Sequence, residues 1–143
     1  MTTITASTNV GIDLNPRCVS YARAKYKGGF LVCDACKLAL RERYFSQILI
    51  FGVLHHLADG DVEAVLSEAL RVLAPGGRIF AIEDIPTASK FNMLGRLVHH
   101  LDVGKHIRSV DEYRRLYAGF ARVEEEEVFR SGVCDYYAAV LAP

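Results

Sequence analysis

Val10-Gly11-Ile12-Asp13-Leu14-Asn15-Pro16 is a short apolar run closed by an acid and followed at once by the start of a helix. Asn15 is a good N-cap, and Pro16 falls on the first helical position, where its missing N–H costs nothing. In an open α/β sheet, an acid at the carboxyl end of a strand commonly takes the hydroxyls of a nucleotide ribose. It normally lies about 20 residues downstream of a glycine-rich phosphate or cofactor turn. Twelve residues precede Asp13, and residues 1–9 contain no glycine. The stretch therefore carries one half of a cofactor site without the other.

Working outward, the helix is expected to run to about Lys27 and to stop at Gly28-Gly29. A short buried strand over 30–33 is then closed by a second acid, Asp34. Residues 38–44 are charged and read as a turn of helix, and 48–51 is an apolar strand ending at Gly52. From Asp61, the apolar residues Val62, Val65, Leu66, Ala69, Leu70 and Leu73 recur at helical spacing. Pro75-Gly76-Gly77 then supplies a tight turn into a strand over 79–82. Residues 88–101 read as an amphipathic helix. Ser109 with Glu112 is a capping box opening a helix that stops near Gly119. The segments 121–129 and 133–141, joined through Ser131-Gly132, read as a terminal hairpin. The alternation implies an α/β fold with a mostly parallel sheet and an antiparallel element at one edge.

A chain of 143 residues with 51% hydrophobic content supports one core, so one domain is expected over 1–143, with 1–9 as a poorly ordered leader. Seventeen basic and seventeen acidic residues remove the electrostatic case for a nucleic acid or a membrane surface as partner. The longest apolar stretches are strand length. Four cysteines do not make a disulfide scaffold, and no signal peptide opens the chain, which reads as cytoplasmic. Cys33 and Cys36 have the spacing of a metal pair, but a second pair is missing, so no metal is expected. Glu124 to Glu127 read as a solvated edge strand protected against pairing.

Four segments together resemble the class I S-adenosylmethionine-dependent methyltransferases, in particular their small-molecule group. Val10 to Pro16 resembles the family's second strand, and Asp34-Ala35 the end of its third. Phe51-Gly52-Val53-Leu54-His55-His56-Leu57 resembles its fourth-strand segment, and Leu70 to Arg78 its helix, turn and fifth strand. The resemblance implies a Rossmann-like sheet and S-adenosylmethionine as cofactor. It implies that Asp13 and Leu14 lie at the ribose, Asp34 and Ala35 at the adenine, and Phe51 and Gly52 beside the sulfonium. His56 and His55 are the expected proton-transfer residues, with Glu83 or Asp84 facing a small-molecule methyl acceptor and residues 88–117 covering it.

Two departures stand out. Ser46-Gln47 replaces the usual aspartate entering the fourth strand. The first strand and its glycine-rich loop, central in the family's order 3-2-1-4-5-7-6, have no counterpart, so the chain is expected to be an N-terminally shortened form. That leaves open a changed strand order, pairing with another chain or local disorder of the first third. It also leaves open a non-catalytic module that binds a partner or forms a homo-oligomer through exposed sheet edges. An NAD-linked reductase fits less well, because no GxGxxG occurs.

Overall fold

A computed structural model describes residues 9–87 and 106–143. The helix expected over 88–101 and the leader before Asn9 lie outside these residues. The one domain expected over 1–143 is represented by two compact units, Met1–Ala39 and Leu40–Pro143.

In the first unit, β1 (Val10–Asp13) and β2 (Gly29–Val32) pair in parallel, from Val10 opposite Gly29 to Asp13 opposite Val32. Helix α1 (Pro16–Lys25) connects them, capped by the Asn15 side chain, which accepts from Arg17 N. The helix stops two residues before the expected Lys27, with Tyr26 already extended. Arg23 donates from Nε and Nη2 to the Phe30 carbonyl at 3.0 and 2.6 Å, fastening the helix to β2.

The second unit holds β3 (Phe45–Phe51), a 3-10 turn (Leu54–His56), α2 (Asp59–Val72), β4 (Leu73–Ile85), α3 (Val110–Ala118), β5 (Arg122–Ser131) and β6 (Cys134–Ala142). Its sheet order is β3-β4-β6-β5. Each unit by itself keeps its part of the expected strand order. The pairs β1–β2 and β3–β4 are parallel, and β4–β6 and β5–β6 antiparallel. The expected parallel strands with a C-terminal antiparallel hairpin are thus present, β6 of the hairpin lying against β4 and β5 against β6.

Alternation along the strands separates two faces. Ile79, Ala81, Glu83 and Ile85 of β4 share the buried face with Asp135, Tyr137, Ala139 and Leu141 of β6. Val62, Val65, Leu66, Ala69 and Val72 are the buried residues of α2. Tyr113 and Tyr117 of α3 stack with Tyr137 at centroid separations of 6.1 and 6.4 Å. The opposite face carries Leu49 and Phe51, both well exposed, beside half-buried Phe80, Ile82, Ala138 and Val140.

Two local expectations change. Residues 38–44 form no helix, because Arg43 N and Tyr44 N donate to the last carbonyls of α2, Arg71 O and Val72 O, both at 2.9 Å. The Pro75-Gly76-Gly77 turn lies inside β4 as a large bulge. Phe45 pairs with Leu73 while Gln47 pairs with Arg78, so 74–77 loop out, with Gly76 at φ +76°. A Cβ on Gly77 would stand 2.9 Å from the Ala74 carbonyl oxygen and 2.7 Å from Leu73 Cδ1.

Gly77→Ala is therefore expected to lower unfolding stability by about 1–3 kcal/mol. Gly60→Ala, in the first turn of α2 with open space around it, should raise stability by about 0.5–1 kcal/mol. Urea midpoints at constant slope check both. Bonds from Arg114 and from the Tyr137 hydroxyl hold the Glu126 carboxyl down at about 2, below its ordinary 4.5. Its contribution is complete above pH 4.5 and lost as pH falls toward 2. Acid titration of Arg114→Ala should show a shallower loss of stability across that window than the unchanged chain.

Candidate functional site

In the first unit, the sequence-expected acids come together at one end of the parallel pair. Asp13 closes β1, and Cys33 N donates to its carbonyl at 3.2 Å, which brings Asp34 beside it at the end of β2. Each acid makes one short-range turn: Asp13 Oδ1 accepts from Asn15 N at 2.7 Å, and Asp34 Oδ1 from Cys36 N at 2.9 Å. These bonds fix the side chains while both residues stay exposed. Leu14 is 69% exposed next to Asp13, and Ala35 is half-buried next to Asp34. None of the four cysteines is in a disulfide, and among the described residues no group of three or more His, Cys, Asp or Glu could hold a metal ion.

The second unit builds its site where β3 ends. Gly52 N donates to the Ile82 carbonyl at 2.9 Å, and its φ of +63° turns the chain sharply out of the sheet. The next residues wrap around one side chain. Glu83, 0% exposed, accepts at Oε1 from Val53 N and Leu54 N, both at 3.0 Å. Its Oε2 accepts from His55 N at 3.3 Å and lies 2.9 Å from His55 Nδ1. A buried carboxylate is costly unless it is fully hydrogen-bonded, and here donors from consecutive residues serve both oxygens. Glu83 is thus spent on the turn and does not face an open acceptor site, as the resemblance had implied for Glu83 or Asp84. Asp84 sits opposite Tyr136 in the register and is 9% exposed.

The two histidines separate in role. His55 is buried at 4% exposure, His56 is exposed, and their ring centroids lie 4.0 Å apart with planes tilted 45°. Phe51 is 63% exposed on the other sheet face.

Arg108 holds the far side of the turn. Nη1 donates to Leu54 O at 2.8 Å and His106 O at 3.1 Å, while Nη2 donates to Leu57 O at 2.7 Å and Asp59 Oδ1 at 2.6 Å. The turn is pinned by an anion at its N–H side and a cation at its carbonyl side. Glu83 also acts on the tyrosines above it: burial first, then its negative charge, pushes the Tyr113 and Tyr117 hydroxyls well above their ordinary range. Sequence reasoning missed Arg108, and it missed the anchoring role of Glu83. An acid at an inward position of an otherwise apolar alternation, 79-81-83-85, was the available sign for Glu83. Arg108 offers none, because its partners on the turn and at the start of α2, Leu54, Leu57 and Asp59, lie about 50 residues away.

A family model described as a methyltransferase domain matches residues 2–81. The chain belongs to this family, within the class I S-adenosylmethionine-dependent methyltransferases. It is 35% identical over 81 residues to the ubiquinone/menaquinone biosynthesis C-methyltransferase UbiE of Desulfotalea psychrophila, covering 54% of this chain and 32% of that protein. It is 44% identical over 62 residues to the UbiE of Acidiphilium cryptum, covering 43% of this chain and 24% of that protein. The aligned region thus spans a third or less of the length of these curated relatives. Among solved structures, a SAM-dependent methyltransferase of Leishmania major superposes with a TM-score of 0.76 at 18% identity, covering 95% of this chain and 55% of that one. At that identity the likeness is one of fold, and it establishes the Rossmann-like architecture. No helix among the described residues is long and apolar enough to cross a membrane.

Glu83→Ala would strand the Val53, Leu54 and His55 N–H groups and should cost about 2–4 kcal/mol. Glu83→Gln keeps one carbonyl oxygen for Val53 and Leu54 and should cost about half as much. Chemical denaturation of the two variants side by side measures the difference.

Proposed function

We propose that this chain binds S-adenosylmethionine and serves methyl transfer to a small molecule in the cytoplasm. The observation that carries the reading is the pair Asp13 and Asp34. Two exposed carboxylates stand at the carboxyl ends of neighbouring parallel strands, each fixed through Oδ1 by its own turn. Vicinal ribose hydroxyls and an exocyclic adenine amine are donors, and carboxylates are the acceptors that suit them. This pair of acceptors therefore suits the nucleoside, with Leu14 assigned to the ribose side and the Ala35 N–H to the base. Phe51 and Gly52 are assigned to the sulfonium end, where an aromatic face suits a cation.

When bound, the cofactor supplies a methyl carbon activated by a sulfonium, transferred by in-line displacement with the bonding pair leaving on sulfur. The protein's part is alignment, exclusion of water and a place for the proton that the acceptor loses. His56, exposed, and His55 beneath it take that proton. Family membership and the near-neutral charge support a small acceptor. The activity printed for the relatives makes an acceptor from ubiquinone or menaquinone biosynthesis the first compound to assay.

Titration calorimetry with S-adenosylmethionine should give measurable heat, and Asp13→Ala should weaken binding about tenfold or more. Glu127→Ala, on the exposed edge strand, should leave binding unchanged. Absence of heat at millimolar cofactor, or equal binding by Asp13→Ala, removes the reading.

A further inference from the structure

We infer that Glu83 is the positioning residue of the histidine pair: it holds His55 with Nδ1 protonated and so makes Nε2 the basic atom of that ring. The inference rests on the proposed methyl transfer for its functional consequence, but its geometry stands by itself.

The donor count around Glu83 decides the tautomer. Oε2 sits 2.9 Å from His55 Nδ1 and also receives the His55 backbone N–H. A carboxylate whose four contacts include three backbone N–H groups is an acceptor throughout, so Nδ1 must donate. A neutral imidazole donating at Nδ1 carries its lone pair at Nε2. The surroundings preserve this polarity. Arg108, on the carbonyl side of the turn, is committed to the Leu54, His106 and Leu57 carbonyls and to Asp59. A proton arriving at Nε2 makes an imidazolium whose Nδ1–H stays against the Glu83 carboxylate. The His56 ring, 4.0 Å from that of His55, gains a fixed neighbour on a turn whose three N–H groups are all tied down.

A purely structural Glu83 would fix the tautomer without bearing on turnover, so kcat separates the two roles. Nitrogen-15 spectra of the imidazoles report the tautomer, with His55 assigned by the loss of its peaks in His55→Gln. At pH 8 the unchanged chain should show His55 protonated at Nδ1 and unprotonated at Nε2. Glu83→Gln presents an NH2 group toward Nδ1, so its His55 should switch to the Nε2-protonated form. In methyl-transfer assays the same variant should lose about tenfold or more in kcat, with KM for the cofactor little changed. His55 protonated at Nε2 in the unchanged chain overturns the inference, as does an unchanged tautomer in a folded Glu83→Gln. If that variant does not fold, the spectrum of the unchanged chain decides by itself. Failure of cofactor binding would remove the proposed function, while the tautomer measurement would still test the Glu83–His55 pair.

Discussion

Burying the Glu83 carboxylate makes sense only if its charge is answered by hydrogen bonds, and the turn after β3 exists in the form that answers it. Three successive N–H groups, from Val53 to His55, and one imidazole nitrogen converge on the two oxygens. An isolated ionised side chain in such a place would be far too costly. The acid therefore dictates the path of the chain that leaves β3, and the chain in turn satisfies both of its oxygens. The Gly52 N bond to Ile82 O supplies the sharp exit that lets the next residues curl back over β4. Arg108 completes the arrangement from a third segment, holding the carbonyls that the curled turn points away from Glu83.

The elements legible from sequence are those whose causes are local. Asn15-Pro16 announces α1, the Ser109–Glu112 box announces α3, and Ser131-Gly132 marks the hairpin, because each rests on bonds within a few residues. Where the sequence reading fell short, a distant partner had decided the matter. Residues 38–44 have the composition of a helix turn, yet the N–H groups of Arg43 and Tyr44 are taken by the end of α2, about thirty residues on. Glu83 was read as facing an acceptor because acids at strand ends often do. Its alternation with Ile79, Ala81 and Ile85 places it on the buried face instead.

The two edges of the larger sheet show a similar contrast. β5 was expected to be a charged edge strand, and it is the terminal strand in the order. Its acids also bind across the structure: Glu124 accepts from Arg78 and Arg122, and Glu126 from Arg114 and Tyr137. The register shift between Val123 and Glu125 twists this edge further from pairing. β3, at the opposite end, has neither a charge nor a proline along Phe45–Phe51. One edge strand carries charges along its length, and the residues of the other carry neither charge nor proline. Composition distinguishes them as clearly as the topology does.

The candidate site residues fall into two kinds according to the reach of the bonds that hold them. Asp13 and Asp34 are oriented by partners two residues away, Asn15 and Cys36. The histidine pair is oriented by Glu83, 28–30 residues along the chain from the atoms it holds, and by Arg108, 49–54 residues from its partners Asp59 and Leu54. Short-range turns form wherever their own few residues are intact, so the acids need little beyond the β1–β2 pair. Long-range bonds exist only when β3, β4 and the segment before α3 are all in place. The groups assigned to the nucleoside are therefore encoded by local sequence, and the groups assigned to the proton are encoded by the fold. A destabilising change in the larger sheet acts on His55 and His56 through Glu83 well before it acts on the geometry of either aspartate.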